Sequence, residues 1–72
     1  MNAEEYLKKR YENDVKAIDD ETESFDWRCC IYFRHVGRLE ALVMTDRISM
    51  KRYDELMDDW KAHCPFNKRR TK

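Results

Sequence analysis

Glycine and proline are almost missing from this chain: one of each stands among 72 residues. Hairpin turns draw on Asn-Gly, Asp-Gly and similar pairs, and none occurs here, so a sheet built from hairpins has nothing to close its turns. Cysteine is also sparse. The three present, two of them adjacent, cannot complete a disulfide framework and suit a reducing compartment. No run approaches the roughly 18 apolar residues of a membrane span, and the opening MNAEEYLKKR lacks the apolar stretch of a signal peptide. A cytoplasmic protein, free of the membrane, is the expectation. Net charge is absent as well, with 15 basic residues against 15 acidic.

Leu, Ile, Val and Phe together supply only 13 residues, a level at which highly charged chains stay disordered. Zero net charge and nine aromatic side chains argue for a folded domain instead. A chain this short hides only about 63% of its unfolded surface on folding, so a partner or a second copy is a natural supplement to its small core.

Helix formers dominate what is there. Asn2 can cap a first helix, with Glu5 three residues on, and Leu7, Tyr11, Val15 and Ile18 recur at helical spacing. The stretch from Asp19 to Ser24 has no apolar residue, and Ser24 before Phe25 is an N-cap signal. The second helix carries two apolar stripes: Phe25, Cys29, Tyr32, Val36, Leu39 and Val43 on one face, and Trp27, Ile31 and Leu42 with Arg34 and Arg38 on another. Thr45 to Ile48 breaks the pattern. Ser49 then caps a third helix, whose apolar face holds Tyr53, Leu56, Met57 and Trp60, with Ile48 placed to pack on Tyr53 as a hydrophobic staple. The expected architecture is an all-α three-helix bundle with its second helix central. Its helices span about 3–19, 25–44 and 50–63 within a single domain of residues 1–65. Pro65 should end regular structure and leave 66–72 as a basic flexible tail.

Charge is neutral in sum but blocked along the chain: residues 1–26 carry −5, 27–53 carry +4, 54–60 carry −4 and 61–72 carry +5. Such blocks neutralise one another between packed helices or complement a charged partner. No metal, cofactor or catalytic set is expected. Cys29 and Cys30 diverge by about 100° on a helix, as do His63 and Cys64, against the C-x₂₋₄-C spacing of zinc sites. Asp54/Asp58 and Glu55/Asp59 lack the glycine-bearing loop of a calcium site. Gly37, the only glycine, lies inside the second helix and makes no phosphate loop.

Two functional classes follow. The first is a non-enzymatic protein-binding module, acting as adaptor, regulator or inhibitor. Its surface would be Trp27, Ile31, Arg34, Arg38 and Leu42, a stripe that would also serve a homodimer. By analogy of size and charge alone, this class includes phage or mobile-element proteins that block a nucleic-acid enzyme or a host defence complex. The acidic cluster Asp54, Glu55, Asp58 and Asp59 would then occupy a basic groove. The alternative is a small nucleic-acid-binding regulator, in which a helix-turn-helix-like hairpin and basic tail present Lys51, Arg52, Lys68, Arg69 and Arg70 to phosphates.

Overall fold

Three side-chain caps start the three long helices. Asn2 Oδ1 accepts from the Glu5 N–H at 2.9 Å, and Ser24 Oγ and Ser49 Oγ accept from the Trp27 and Arg52 N–H groups at 3.1 Å each. In the computed structural model these open α1 (Ala3–Ile18), α2 (Phe25–Met44) and α3 (Met50–Lys61), followed by a short α4 (Pro65–Arg70). The described residues are 2–70, with 68–70 described by their backbone only.

Without glycine to close α2, an aspartate does so. Asp46 takes φ 59°, in the left-handed region that Asp tolerates better than most residues. The Asp46 N–H reaches the Val43 carbonyl at 3.2 Å and the Arg47 N–H reaches that of Leu42 at 2.9 Å. This pair of bonds is a Schellman closure, which satisfies carbonyls at the helix end. The reversal drops Ile48 into the core, where Tyr53 packs beside it.

The end of the chain departs from expectation. Pro65 opens a helical turn rather than ending regular structure, because proline lacks only an N–H that a first helical turn leaves unbonded anyway. Pro65 is buried. Asn67 Nδ2 donates to the Lys61 carbonyl at 2.9 Å, tying α4 to the end of α3. The Phe66 ring meets Phe25 edge-on at 5.3 Å. Residues 66–70 of the expected tail are therefore helical, while Thr71 and Lys72 lie outside the described residues. α1 and α3 stop one and two residues earlier than the periodicity suggests.

α2 is central: α1, α3 and α4 each pack on it. Two apolar clusters hold the bundle. One gathers Ile18, Ile31, Tyr32 and Trp60, the other Leu7, Leu39 and Ile48. Trp60 is the joint between helices. It is fully buried, stacks on Tyr32 at 5.6 Å, meets Tyr11 of α1 edge-on at 5.8 Å and donates its indole N–H to the Tyr32 carbonyl at 3.1 Å. At the C-terminal end of α1, Arg28 of α2 donates to the Ile18 carbonyl at 2.6 Å.

Truncating a buried Trp to Ala typically costs about 3–5 kcal/mol, a large share of the roughly 4–11 kcal/mol available to a domain of this length. Trp60→Ala should therefore leave much of the chain unfolded at room temperature. Urea titration followed by circular dichroism tests this, and a midpoint near that of the wild type would contradict the packing described.

Candidate functional site

The five-residue stripe expected to bind a partner occupies a wedge of about 80° on α2, and the fold splits that wedge lengthwise. Trp27 remains 46% exposed and Ile31 only 1%. The Arg34 side chain is 55% exposed and that of Arg38 only 16%. Leu42 packs on the Leu39 cluster. Ile31, Arg38 and Leu42 therefore belong to the interior side of α2, and only Trp27 and Arg34 stay at the surface. The physical reason is drift: Ile31 and Leu42 lie about 40° and 60° round the helix from Trp27, on the side that the neighbouring helices cover.

What Arg38 does instead is bind a buried acid that periodicity passed over. Asp14, on the inner face of α1, is 4% exposed. Its Oδ2 accepts from Arg38 Nη1 at 2.8 Å and from His35 Nδ1 at 2.9 Å, and Arg34 lies 3.7 Å from the other oxygen. Because the carboxylate only accepts, the His35 proton must sit on Nδ1. Burial depresses the His35 pKa below its ordinary value, against the opposing pull of Asp14, so the ring is neutral at neutral pH. A signal was present: Leu7, Tyr11, Asp14 and Ile18 are spaced by four, three and four residues, which sets a carboxylate in line with the apolar side chains of α1.

α1 and α3 meet chiefly through side chains, and between them runs a groove of about 380 Å³. Leu7, Tyr11, His35, Leu39 and Leu56 contribute to its wall. Arg52 spans it near one end, bonding Glu4 at 2.9 Å and Glu55 at 3.3 Å. The neutral His35 can accept a proton there through Nε2, but no hydroxyl or thiol among the described residues bonds to that atom. The Tyr11 hydroxyl pairs with His63 Nε2 at 3.2 Å, and His63 Nδ1 lies 3.4 Å from Asp19. Burial pushes the Cys29 thiol up from its ordinary value, which keeps it protonated. Among the described residues no three metal-ligating side chains converge.

The remaining candidates are dispersed. Asp54, Glu55, Asp58 and Asp59 are all exposed on α3, with Glu55 engaged by Arg52. Lys51 is exposed, whereas Arg52 is committed to its two carboxylates. Lys68, Arg69 and Arg70 follow the α4 backbone, and their side chains lie outside the described residues.

The most conspicuous surface is the outward side of α2, which sequence periodicity did not single out. Phe33 is 58% exposed and Met44 80%, alongside Trp27. Cys30, Gly37 and Ala41 are exposed between them. Cys30, Gly37 and Met44 recur every seven residues, a third stripe on a helix whose other sides are apolar too. No helix among the described residues is long and apolar enough to cross a membrane. Comparison with protein-family models, curated proteins and solved structures finds no match to this chain.

Stability should fall in acid. The unfolded imidazole titrates near 6.5 and the folded His35 lower, so below about 6.5 the unfolded state binds more protons and is favoured. The stability is held above that pH and lost as pH falls towards the folded pKa. Urea unfolding of wild type and His35→Gln across this range should give a shallower acid slope for the variant; equal slopes would remove His35 as the cause. A second contrast concerns the arginines. Arg38→Ala deprives a buried carboxylate of a charged donor and should cost about 1.5–3 kcal/mol. Arg34→Ala loses a loose surface pair worth about 0–1 kcal/mol, and equal losses would contradict the geometry.

Proposed function

We propose that this protein is a non-enzymatic protein-binding module, and that its binding surface is the outward side of α2. The observation that carries the proposal is the exposure of three large apolar side chains, Trp27, Phe33 and Met44, on one helix. Single exposed apolar residues are ordinary on protein surfaces, whereas several large ones on the uncovered part of one helix favour an interaction site. Trp and Arg are also the side chains that most often dominate interface energy, and Arg34 flanks Trp27 with its guanidinium 6.0 Å from the indole. A rigid 20-residue helix supplies preorganisation, so little ordering entropy opposes docking.

This surface replaces the stripe expected from periodicity while keeping its two exposed members. The nucleic-acid alternative gains no comparable support, since Arg52 is held by Glu4 and Glu55 and α3 continues with four exposed carboxylates that phosphates would repel.

Position-specific photocrosslinking tests the proposal. A benzoyl-phenylalanine is installed in place of Phe33, of Met44 or of Lys9, the last an exposed residue of α1, and the cells are irradiated. Protein adducts that survive nuclease should form from positions 33 and 44 and not from 9. Adducts from all three positions alike, from none, or to nucleic acid would overturn it.

A further inference from the structure

We propose that the groove between α1 and α3 is a binding site for a free phenol, an uncharged aromatic molecule whose hydroxyl donates to His35 Nε2. The site is formed by residues other than those of the outward side of α2, and it does not depend on the protein-binding function. At about 380 Å³ the groove falls within the range of small-ligand sites, which join apolar walls to a few placed polar groups. Its apolar walls are Leu7, Leu39 and Leu56 with the Tyr11 ring. His35 is the polar group set among them.

The imidazole is fixed in one state. Asp14 accepts from Nδ1 at 2.9 Å, so the proton is held there and Nε2 carries a lone pair. His35 is 2% exposed, and its Nε2 makes no hydrogen bond among the described residues. Every fully buried side-chain nitrogen or oxygen of these residues does have a partner. Nε2 is therefore not sealed in the core but opens on the groove whose wall the ring forms. An acceptor set so deeply favours a molecule that brings a donor, since a purely apolar one laid over it would cut it off from water and return no hydrogen bond.

Charge decides the kind of donor. Behind the ring Asp14 stands with Arg38 at 2.8 Å and Arg34 at 3.7 Å, one carboxylate against two guanidiniums, which leaves no negative charge to neutralise an ammonium. A carboxylate has no proton to give and would press its charge on the Nε2 lone pair. Along the rim Glu4 is taken by Arg52 at 2.9 Å, and Lys8 stands with Glu5 and Asp59, signs too mixed to draw in either kind of ion. A neutral hydroxyl meets none of these costs. A phenolic hydroxyl is a stronger donor than an aliphatic one, and its ring supplies the apolar area that the leucines and Tyr11 bury. The bridge from Arg52 to Glu4 and Glu55 closes one end, which leaves room for a small molecule rather than a channel through which a peptide runs.

Titration of the full chain, isotope-labelled at its histidine nitrogens, with para-ethylphenol reads affinity and contact together by nuclear magnetic resonance. The His35 Nε2 signal, assigned with the help of a His63→Gln variant, should move upfield on saturation as the nitrogen accepts a hydrogen bond. Para-ethylanisole, in which the hydroxyl is methylated, should bind at least about ten-fold more weakly, and so should para-ethylbenzoate and para-ethylbenzylamine. Leu56→Phe, at a half-buried position, sets a ring in the groove and should abolish binding; the comparison of ligands on the wild type decides the matter even where this variant fails to fold. Absence of saturable binding, an unmoved Nε2 signal, an anisole as tight as the phenol, or a preference for the benzoate or the amine would overturn the proposal. Tighter binding of a blocked tripeptide with a central tyrosine than of para-ethylphenol would assign the groove to the side chain of another protein and overturn the free ligand. None of these outcomes bears on crosslinking from positions 33 and 44, so the two readings fail separately.

Discussion

Burial of Trp60 is the contact on which the arrangement of the other helices depends. α3 is a polar helix, and Trp60 is its only fully buried residue, so its attachment rests on one large side chain and a partly buried apolar edge. The indole reaches past α3's own surface to touch rings of both other long helices: Tyr11 of α1, and Tyr32 and His35 of α2. Aromatic pairs in such offset and edge-on geometry add about 0.5–1.5 kcal/mol each beyond the area they bury. α1 and α3 meet through side chains, at Trp60, in the Leu7 cluster with Leu56 and Met57 and at the Arg52–Glu4 pair, and a groove is left between them.

The buried Asp14 cluster complements this apolar joint. A carboxylate removed from water is costly unless each lone pair is engaged, and here His35 and Arg38 engage it from two successive turns of α2. The arrangement sets the register of α1 on α2, since sliding by a turn would strand the charge. It also explains why a histidine sits in the interior at all: its neutral ring fills apolar space beside Trp60 at a centroid distance of 4.3 Å while its Nδ1–H serves the acid.

With three helices gathered on one side, the remaining side of α2 is left open by geometry. A central helix in a four-layer or larger fold would have that side covered as well. No further element among the described residues covers that side, where Trp27, Phe33 and Met44 stand exposed.

The helices themselves were legible without coordinates, because capping and periodicity are local: Asn2, Ser24 and Ser49 accept from the N–H groups their spacing implied, and the two ends of α2 fall where cap and break signals stand. Pro65 was ambiguous for a local reason too, since proline both ends one helix and begins another. The exposed apolar side of α2 was not legible in the same way. Periodicity shows that α2 is apolar on more than one side but not which side its neighbours cover, and a wedge of about 80° cannot be divided into inside and outside from spacing alone. That division, like the pairing of Asp14 with residues 21 and 24 positions away, depends on how whole helices pack. Sequence alone determined the all-helical class, the three caps and the central place of the second helix, all consequences of short-range hydrogen bonding and pattern. Only the tertiary structure decided that Ile31, Arg38 and Leu42 turn inward while Phe33 and Met44 face out, because burial is settled by long-range contacts.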